Sequence, residues 1–523
     1  MAGTSSPRCI FVITSDNQSA NYPIFKPIAS RHRDVGKRRP RLSGAGALNS
    51  RTTPSAVPRI HAQISRLVAP LMTEPILVRY AHSEFPVSCD FAMLFFSIAQ
   101  WSKVGSTRLR FPLLLLLATF WLSVATQSAA SDVRAPESTL AATLTDIHKR
   151  SGFAGFAVVL QDGTKTHFSQ AFGTADFVEK RQYQATTIQP VASVSKVVIG
   201  IALMKAQEQG KLTLDEDING YLPFSVKNPH APNDRITLRS LATHTSGIVD
   251  DSDFTIGGYG LSLRPERSIE TYLREYFEPS NSKQLEKRFA KSAVGSNYSY
   301  SNIGSTLAAY VIERRVGKPF DEFAKEEIFA PLGMTDTHYF FDTAFAARYA
   351  KLFEINPQPY PLYTQLFEPR NALVPKALAQ IKSYSNANYP DGSLRSSASD
   401  LSKLMSAVAR GLSDEATVIS AASMREMTRP QFTAATMPRD MDRREPNRGI
   451  FWAHARNGNV RHTGGDPGVT SFVSIDPKTL SSRVFVMNTQ VDGDENKRAV
   501  DSFIEIVRAL DAYDAARAIA AVR

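Results

Sequence analysis

Cysteine is almost missing: the 523 residues hold two, Cys9 and Cys89, both in the first quarter of the chain. The remainder can form neither an internal disulfide nor a zinc site built on thiolates. A charge excess is missing from the same stretch. The chain as a whole carries a formal +11, but residues 1–130 contain 15 Lys and Arg against 5 Asp and Glu, leaving 46 against 45 for residues 131–523. A near-neutral body offers no clustered basic surface for phosphates, so no nucleic-acid partner is expected. Long apolar runs are missing too: the longest reading as a membrane-directed segment falls short of the ~20 residues a spanning helix needs. What is present, 43% apolar and 21% charged residues, suffices for a sizeable core and excludes a disordered or collagen-like chain.

The membrane-directed segment is Phe111–Ala125, FPLLLLLATFWLSVA, with Lys103, Arg108 and Arg110 before it and small residues after it. A short apolar run behind basic residues, with small-x-small sites at Ser123/Ala125 and Ser128/Ala130, has the pattern of a secretory signal peptide. Residues 108–130 are therefore expected to be a signal peptide or a membrane anchor, with export to the periplasm or the medium. Residues 1–107 form a leader of doubtful status. The expectation is that translation starts near Met93 and that residues 1–92 are an over-extended gene model or a disordered arm, since their Pro, Arg, Ser and Ala content shows no sustained period.

Residues 131–523 read as one continuous α/β (α+β) unit, with no internal repeat and no linker to divide it. GFAVVLQDGTKTHFSQAFG (155–173) is two strand-like runs around Asp162-Gly163, a hairpin signal. Near the other end, 469–476 and 483–489 are strand candidates, followed by a helical pattern from Lys497 to Leu510. Strands at both ends with helical material between them predict that the termini meet in one antiparallel sheet flanked by helices. The middle then forms a helical subdomain, and a cleft between the two is the expected site.

Three short motifs carry chemistry. In Ser193-Val194-Ser195-Lys196 the apolar residues Val194, Val197, Val198 and Ile201 repeat at helical spacing, with Gly210 as a stop. Residues i and i+3 share a helix face, so Lys196 can reach Ser193, and a desolvated lysine can take a serine's proton. Tyr300-Ser301-Asn302 precedes a second helical face; Tyr300 could shuttle a proton and Asn302 orient an amide. His462-Thr463-Gly464-Gly465 precedes a strand, where adjacent glycines let a substrate approach and a backbone N–H could stabilise an oxyanion. Each has a bland reading as cap, half-buried aromatic or turn, and two have decoys, Ser280-Asn281-Ser282-Lys283 and Tyr384-Ser385-Asn386. A Gly-x-Ser-x-Gly elbow, which an α/β-hydrolase esterase would need, does not occur.

The order of the motifs is informative, with Tyr300 following Ser193 by 107 residues and His462 following Tyr300 by 162. Together with Gly210–Asp215, Leu241–Gly247 (LATHTSG), Pro331–Met334 and Asp391–Ser396, they make residues 138–510 resemble the serine β-lactamase and penicillin-binding-protein-like superfamily, particularly its class C and DD-carboxypeptidase branch. The resemblance implies a β-lactamase/transpeptidase-like fold and an acyl-enzyme on Ser193, with Lys196 helping to deprotonate it and Tyr300 as acid/base. It further implies Asn302, His462, Thr463 and Gly464 as substrate contacts, and the backbone N–H groups of Ser193 and Gly465 as the oxyanion hole. It implies no metal and no cofactor, and a small-molecule or peptide substrate.

The third motif departs from the family's frequent Lys-Thr-Gly. A histidine is mostly neutral at pH 7, so carboxylate recognition is expected to be weaker or pH-dependent unless Arg461 or another arginine supplies the charge. His244 is read as structural. The acidic stretch Asp492–Glu495 lacks a full calcium-loop pattern. The expected function is an exported serine hydrolase acting on an amide or ester, whether cell-wall peptide, β-lactam or small ester. The alternative is a non-catalytic receptor or interaction protein on the same fold.

Overall fold

The computed structural model describes residues 135–357, 361–491 and 496–522. The leader, the Phe111–Ala125 segment and Asp492–Glu495 lie outside them. No helix among the described residues is long and apolar enough to cross a membrane, and no group of His, Cys, Asp and Glu among them could hold a metal ion.

The chain enters through helix α1 (Ala135–Ser151) and forms strands β1 (Gly155–Asp162) and β2 (Lys165–Asp176), joined at Gly163 with φ +59°. It returns to the same sheet through β3 (Val460–Asp466), β4 (Val469–Ile475) and β5 (Ser481–Met487), then leaves along helix α5 (Lys497–Val522). β1 pairs antiparallel with both β2 and β5, so the two ends of the body do meet in one sheet, of eight strands. Its order across the body is β3, β4, β5, β1, β2, with two-residue strands at either edge.

Alternation along β1 explains its continuous apolar reading. Phe156, Val158 and Leu160 face α1 and α5, meeting Leu144, Ile506 and Leu510, and Phe485 stacks on Phe472 at 5.2 Å. Ala157 and Val159 face the other way, into the core shared with the helices of the middle. A strand covered on both faces has no polar side to show.

The middle is the expected helical subdomain. Helix α2 (Ser195–Glu208) runs through its centre, buried from Ser195 to Met204, against α3 (Asn302–Val316) and α4 (Ala421–Thr428). Close packing is visible at Gly200, where a Cβ would stand 2.9 Å from the Ile450 carbonyl. Gly210 (φ +66°) follows α2 and Gly317 (φ +75°) ends α3, left-handed positions that favour glycine. Unforeseen from the sequence is a small three-stranded sheet of Leu352–Ile355, Leu378–Ile381 and Thr489–Gln490.

Candidate active site

Ser193 occupies the 3-10 turn Ala192–Val194 that runs into α2. Ala192 has φ +48°, an uncommon conformation for a residue with a Cβ, and Ser193 is the half-buried residue in an otherwise buried stretch. One helical turn on, Lys196 Nζ lies 3.2 Å from Ser193 Oγ, 2.8 Å from Asn302 Oδ1 and 2.9 Å from the Asp391 carbonyl oxygen. Three acceptors match the three N–H groups of an ammonium. The Asp391 carboxylate is 3.6 Å away. Burial acts to lower the lysine's pKa, but Tyr300, Asp391 and Asp250 outweigh it and hold it above its ordinary value. In this arrangement Lys196 Nζ donates to Ser193 Oγ.

Tyr300 and Asn302 arrive on the segment leading into α3. Ser301 caps that helix by accepting from Gly304 N. Asp250 reinforces the cap, accepting from Ser301 Oγ at 2.7 Å, Asn302 N at 2.7 Å and Ile303 N at 3.2 Å. A carboxylate at a helix N-terminus is favoured by the unpaired N–H groups there. Burial nonetheless pushes the Asp250 pKa up. Tyr300 is exposed, its ring centre 5.1 Å from Lys196 Nζ. Beneath it lies His244, ring centres 4.3 Å apart, whose Nδ1 accepts from Ser301 N. His244 is buried and held well below its ordinary pKa, first by burial and then by Arg448 and Lys196. It serves as a neutral shelf for Tyr300.

The third motif lies within strand β3, which pairs with the strand that follows it, β4. Gly464 is where this strand presses on the Ser193 turn: a Cβ there would stand 2.4 Å from the Val191 carbonyl oxygen and 3.1 Å from Ala192 Cβ. Gly465, the next residue, is exposed, and Thr463 is half-buried. From His462 onward the outer edge of β3 pairs with no strand among the described residues, leaving an open strand edge beside Ser193. His462 is buried, with Nδ1 2.8 Å from the Thr463 carbonyl oxygen. Burial, then the charge of Lys196, lowers its pKa to about 3. It stays neutral across the physiological range and cannot supply the pH-dependent cation considered above.

Cations stand nearby instead. Arg448 and Arg461 share Glu445, at 2.8 and 3.0 Å, and all three side chains are buried. Burial works against ionisation of Glu445, but the two arginines pull its pKa below the usual value. Arg448 also lies over the Tyr298 ring at 4.5 Å. This flank of the site holds two cations against one anion.

Several residues here were not singled out for a role from sequence. Asp391 lay in a stretch noted only as familiar, yet it touches Lys196, and burial raises its pKa to about 7. Asp250 carries no signal of its own beyond following His-Thr-Ser-Gly. Tyr384, dismissed with Ser385 and Asn386 as a decoy loop, donates to Asp466 Oδ2 at 3.0 Å, while Ser385–Asn386 pairs with Tyr259–Gly260. The other decoy is distant in character: Asn281 caps the short exposed helix Ser282–Lys287.

The model of the family described as Beta-lactamase matches residues 140–504. The chain belongs to the beta-lactamase family. Over 189 residues it is 30% identical to the D-alanyl-D-alanine-carboxypeptidase/endopeptidase AmpH of Escherichia coli K12, covering 36% of this chain and 46% of that protein. Over 274 residues it is 26% identical to penicillin-binding protein 4* of Bacillus subtilis, covering 50% and 53%. The chain thus spans about half the length of the curated relatives it matches. Its fold is similar to that of the D-amino acid amidase from Ochrobactrum anthropi SV3, with TM-score 0.55 and 20% identity over 72% of this chain and 99% of that one.

Proposed function

We propose that this member of the family is an exported serine hydrolase that acts on an amide or ester through an acyl-enzyme on Ser193. One observation carries the reading: Lys196 Nζ bridges Ser193 Oγ and Asn302 Oδ1, the latter 106 positions further along the chain, under the exposed Tyr300.

A serine hydroxyl becomes nucleophilic when a neighbouring group accepts its proton. In this reading Tyr300, as a phenolate beside the Lys196 ammonium, takes that proton and becomes the neutral phenol, while the ammonium stabilises the charge passing to the Ser193 oxygen. The Ser193 oxygen then attacks the substrate carbonyl. The backbone N–H groups of Ser193 and Gly465 receive the oxyanion, which the fit of Gly464 against Val191 keeps close to the nucleophile. Tyr300 returns the proton to the leaving group, and water repeats the sequence to release the acid. Asn302 and Thr463 orient the substrate along the open edge of β3. With His462 neutral, the charge that attracts a substrate carboxylate comes from the Arg448 and Arg461 flank.

Candidate substrates are cell-wall peptides, β-lactams and small esters; the name of the Escherichia coli relative favours the first. Export rests on the Phe111–Ala125 pattern. The test is turnover of a peptide ending in D-alanyl-D-alanine, benzylpenicillin and p-nitrophenyl acetate by the wild type and by Ser193→Ala. At least one substrate should be turned over with dependence on Ser193. No turnover of any, and no covalent adduct by intact mass, would favour the non-catalytic scaffold.

A further inference from the structure

One residue beyond Gly465 stands a carboxylate for which the acyl-transfer steps have no use. Asp466 ends β3, partly exposed, beside exposed Gly465. Its Oδ1 accepts from the Tyr259 hydroxyl and its Oδ2 from the Tyr384 hydroxyl at 3.0 Å. An ionised carboxylate offers about four lone-pair sites, so two phenols leave it room for a further donor. Placing a bare carboxylate here is costly: burial pushes the Asp466 pKa up to about 6, despite both tyrosines and despite Lys196 and Arg395.

Other ionisable groups stand around it. On this side Lys196 and Arg395 face three carboxylates, Asp250, Asp391 and Asp466. Arg395 is committed elsewhere, donating to the carbonyls of Tyr339, Ser393 and Tyr384, and all three Lys196 N–H groups have acceptors. The other flank has two arginines against Glu445. The two ends of this stretch of β3 therefore differ in kind, with paired arginines near His462 and a carboxyl group held by two phenols at Asp466.

We propose that Asp466, framed by Tyr259 and Tyr384, binds an ammonium group on the acyl part of the substrate, so that the enzyme acts on amides or esters of amino acids with a free amine, or on the N-terminal residue of short peptides. This rests on the reading of Ser193 and Gly465 given above. With the scissile carbonyl oxygen at Gly465 N–H, the Asp466 Cα is about 3.8 Å further along the chain. An α-amino group, two bonds from the carbonyl carbon, falls within reach of its side chain. An ammonium there gains a charge-assisted hydrogen bond, and the neighbouring phenol rings offer cation–π faces.

The test uses the full chain with D- and L-alanine p-nitroanilide and their N-acetyl counterparts, which differ only in the amine charge and its acyl cap. A hydrogen bond to a charged group corresponds to about 10- to 100-fold. The better alanine enantiomer should exceed its N-acetyl form in kcat/KM by at least about 10-fold in the wild type. In Asp466→Asn that ratio should collapse toward 1, chiefly through KM, and Asp466→Glu should restore part of it. A wild-type ratio below that threshold, which needs no variant to fold, overturns the proposal, as does an unchanged ratio in Asp466→Asn. Serine-probe labelling at Ser193 without amine preference, or without turnover of any anilide, fails this inference alone. Absence of both turnover and Ser193 labelling fails the hydrolase reading with it.

Discussion

Substituting Gly464 by alanine should separate the Ser193 turn from the strand edge beside it. The new Cβ would stand 2.4 Å from Ser471 Oγ, 2.4 Å from the Val191 carbonyl oxygen and 3.1 Å from Ala192 Cβ. Ordinary contacts between heavy atoms begin near 3.5 Å, so a gap of about 1 Å has to open. Neither oxygen is free to yield, because Ser471 Oγ donates to that same Val191 carbonyl at 2.7 Å. Overpacking of this kind costs about 1–3 kcal/mol, and loss of the hydrogen bond about 1 kcal/mol more. A misplacement of about 1 Å in an active site costs on the order of 10²-fold in rate. Urea denaturation should therefore show a loss of about 2–4 kcal/mol, and kcat/KM on p-nitrophenyl acetate should fall about 100-fold. Gly220→Ala is the control, since a Cβ there meets nothing within 4 Å. If Gly464→Ala matches that control in both stability and rate, the close approach does not hold the oxyanion hole against Ser193.

Three further outcomes follow from charges at the site. Glu445→Gln strands the buried Arg448 and Arg461 without their shared anion and should destabilise the fold by about 3–5 kcal/mol in chemical denaturation; a loss under about 1 kcal/mol would mean that solvent screens the cluster. His462→Gln should leave the shape of the kcat/KM profile between pH 5 and 8 unchanged, because burial holds His462 neutral with a pKa of about 3; disappearance of a titration step from that range would contradict this. Burial raises the Asp391 carboxyl to about 7, against about 3.9 in an unfolded chain, so its contribution to stability is complete below pH ~4 and is lost as pH rises toward 7. Asp391→Asn should flatten the fall in stability across that window in urea titrations, and an unchanged slope would place the carboxyl in water.

The fold was legible where periodicity and turns agree. The 155–173 hairpin, the two late strands and the apolar spacing behind Ser193 all point to elements that are present, because burial on one or both faces imposes that spacing. The helix from Lys497 extends to Val522 rather than stopping at Leu510, since its last turns carry few large apolar residues to mark them. The 462–465 stretch was not marked as a strand, because its two adjacent glycines interrupt the alternation; it forms one by pairing with 469–475, and Gly464 there permits close approach to Val191. At the site, Ser193, Lys196, Tyr300 and Asn302 were found through their spacing and order and do converge in space. Asp250, Asp391 and Asp466 were not assigned roles, because each acts through contacts 51 residues or more away along the chain, and local pattern does not encode such contacts. The same limit applies to the partners of Lys196, since Asn302 and Asp391 reach it from distant parts of the chain.

The role of Ser193 is tested most directly by labelling the full chain with a serine-directed fluorophosphonate and mapping the adduct by peptide mass spectrometry. The expected result is a single modification on Ser193, absent in Ser193→Ala and retained in the decoy variant Ser280→Ala. Modification of another serine, or undiminished labelling of Ser193→Ala, would contradict the assignment of the nucleophile.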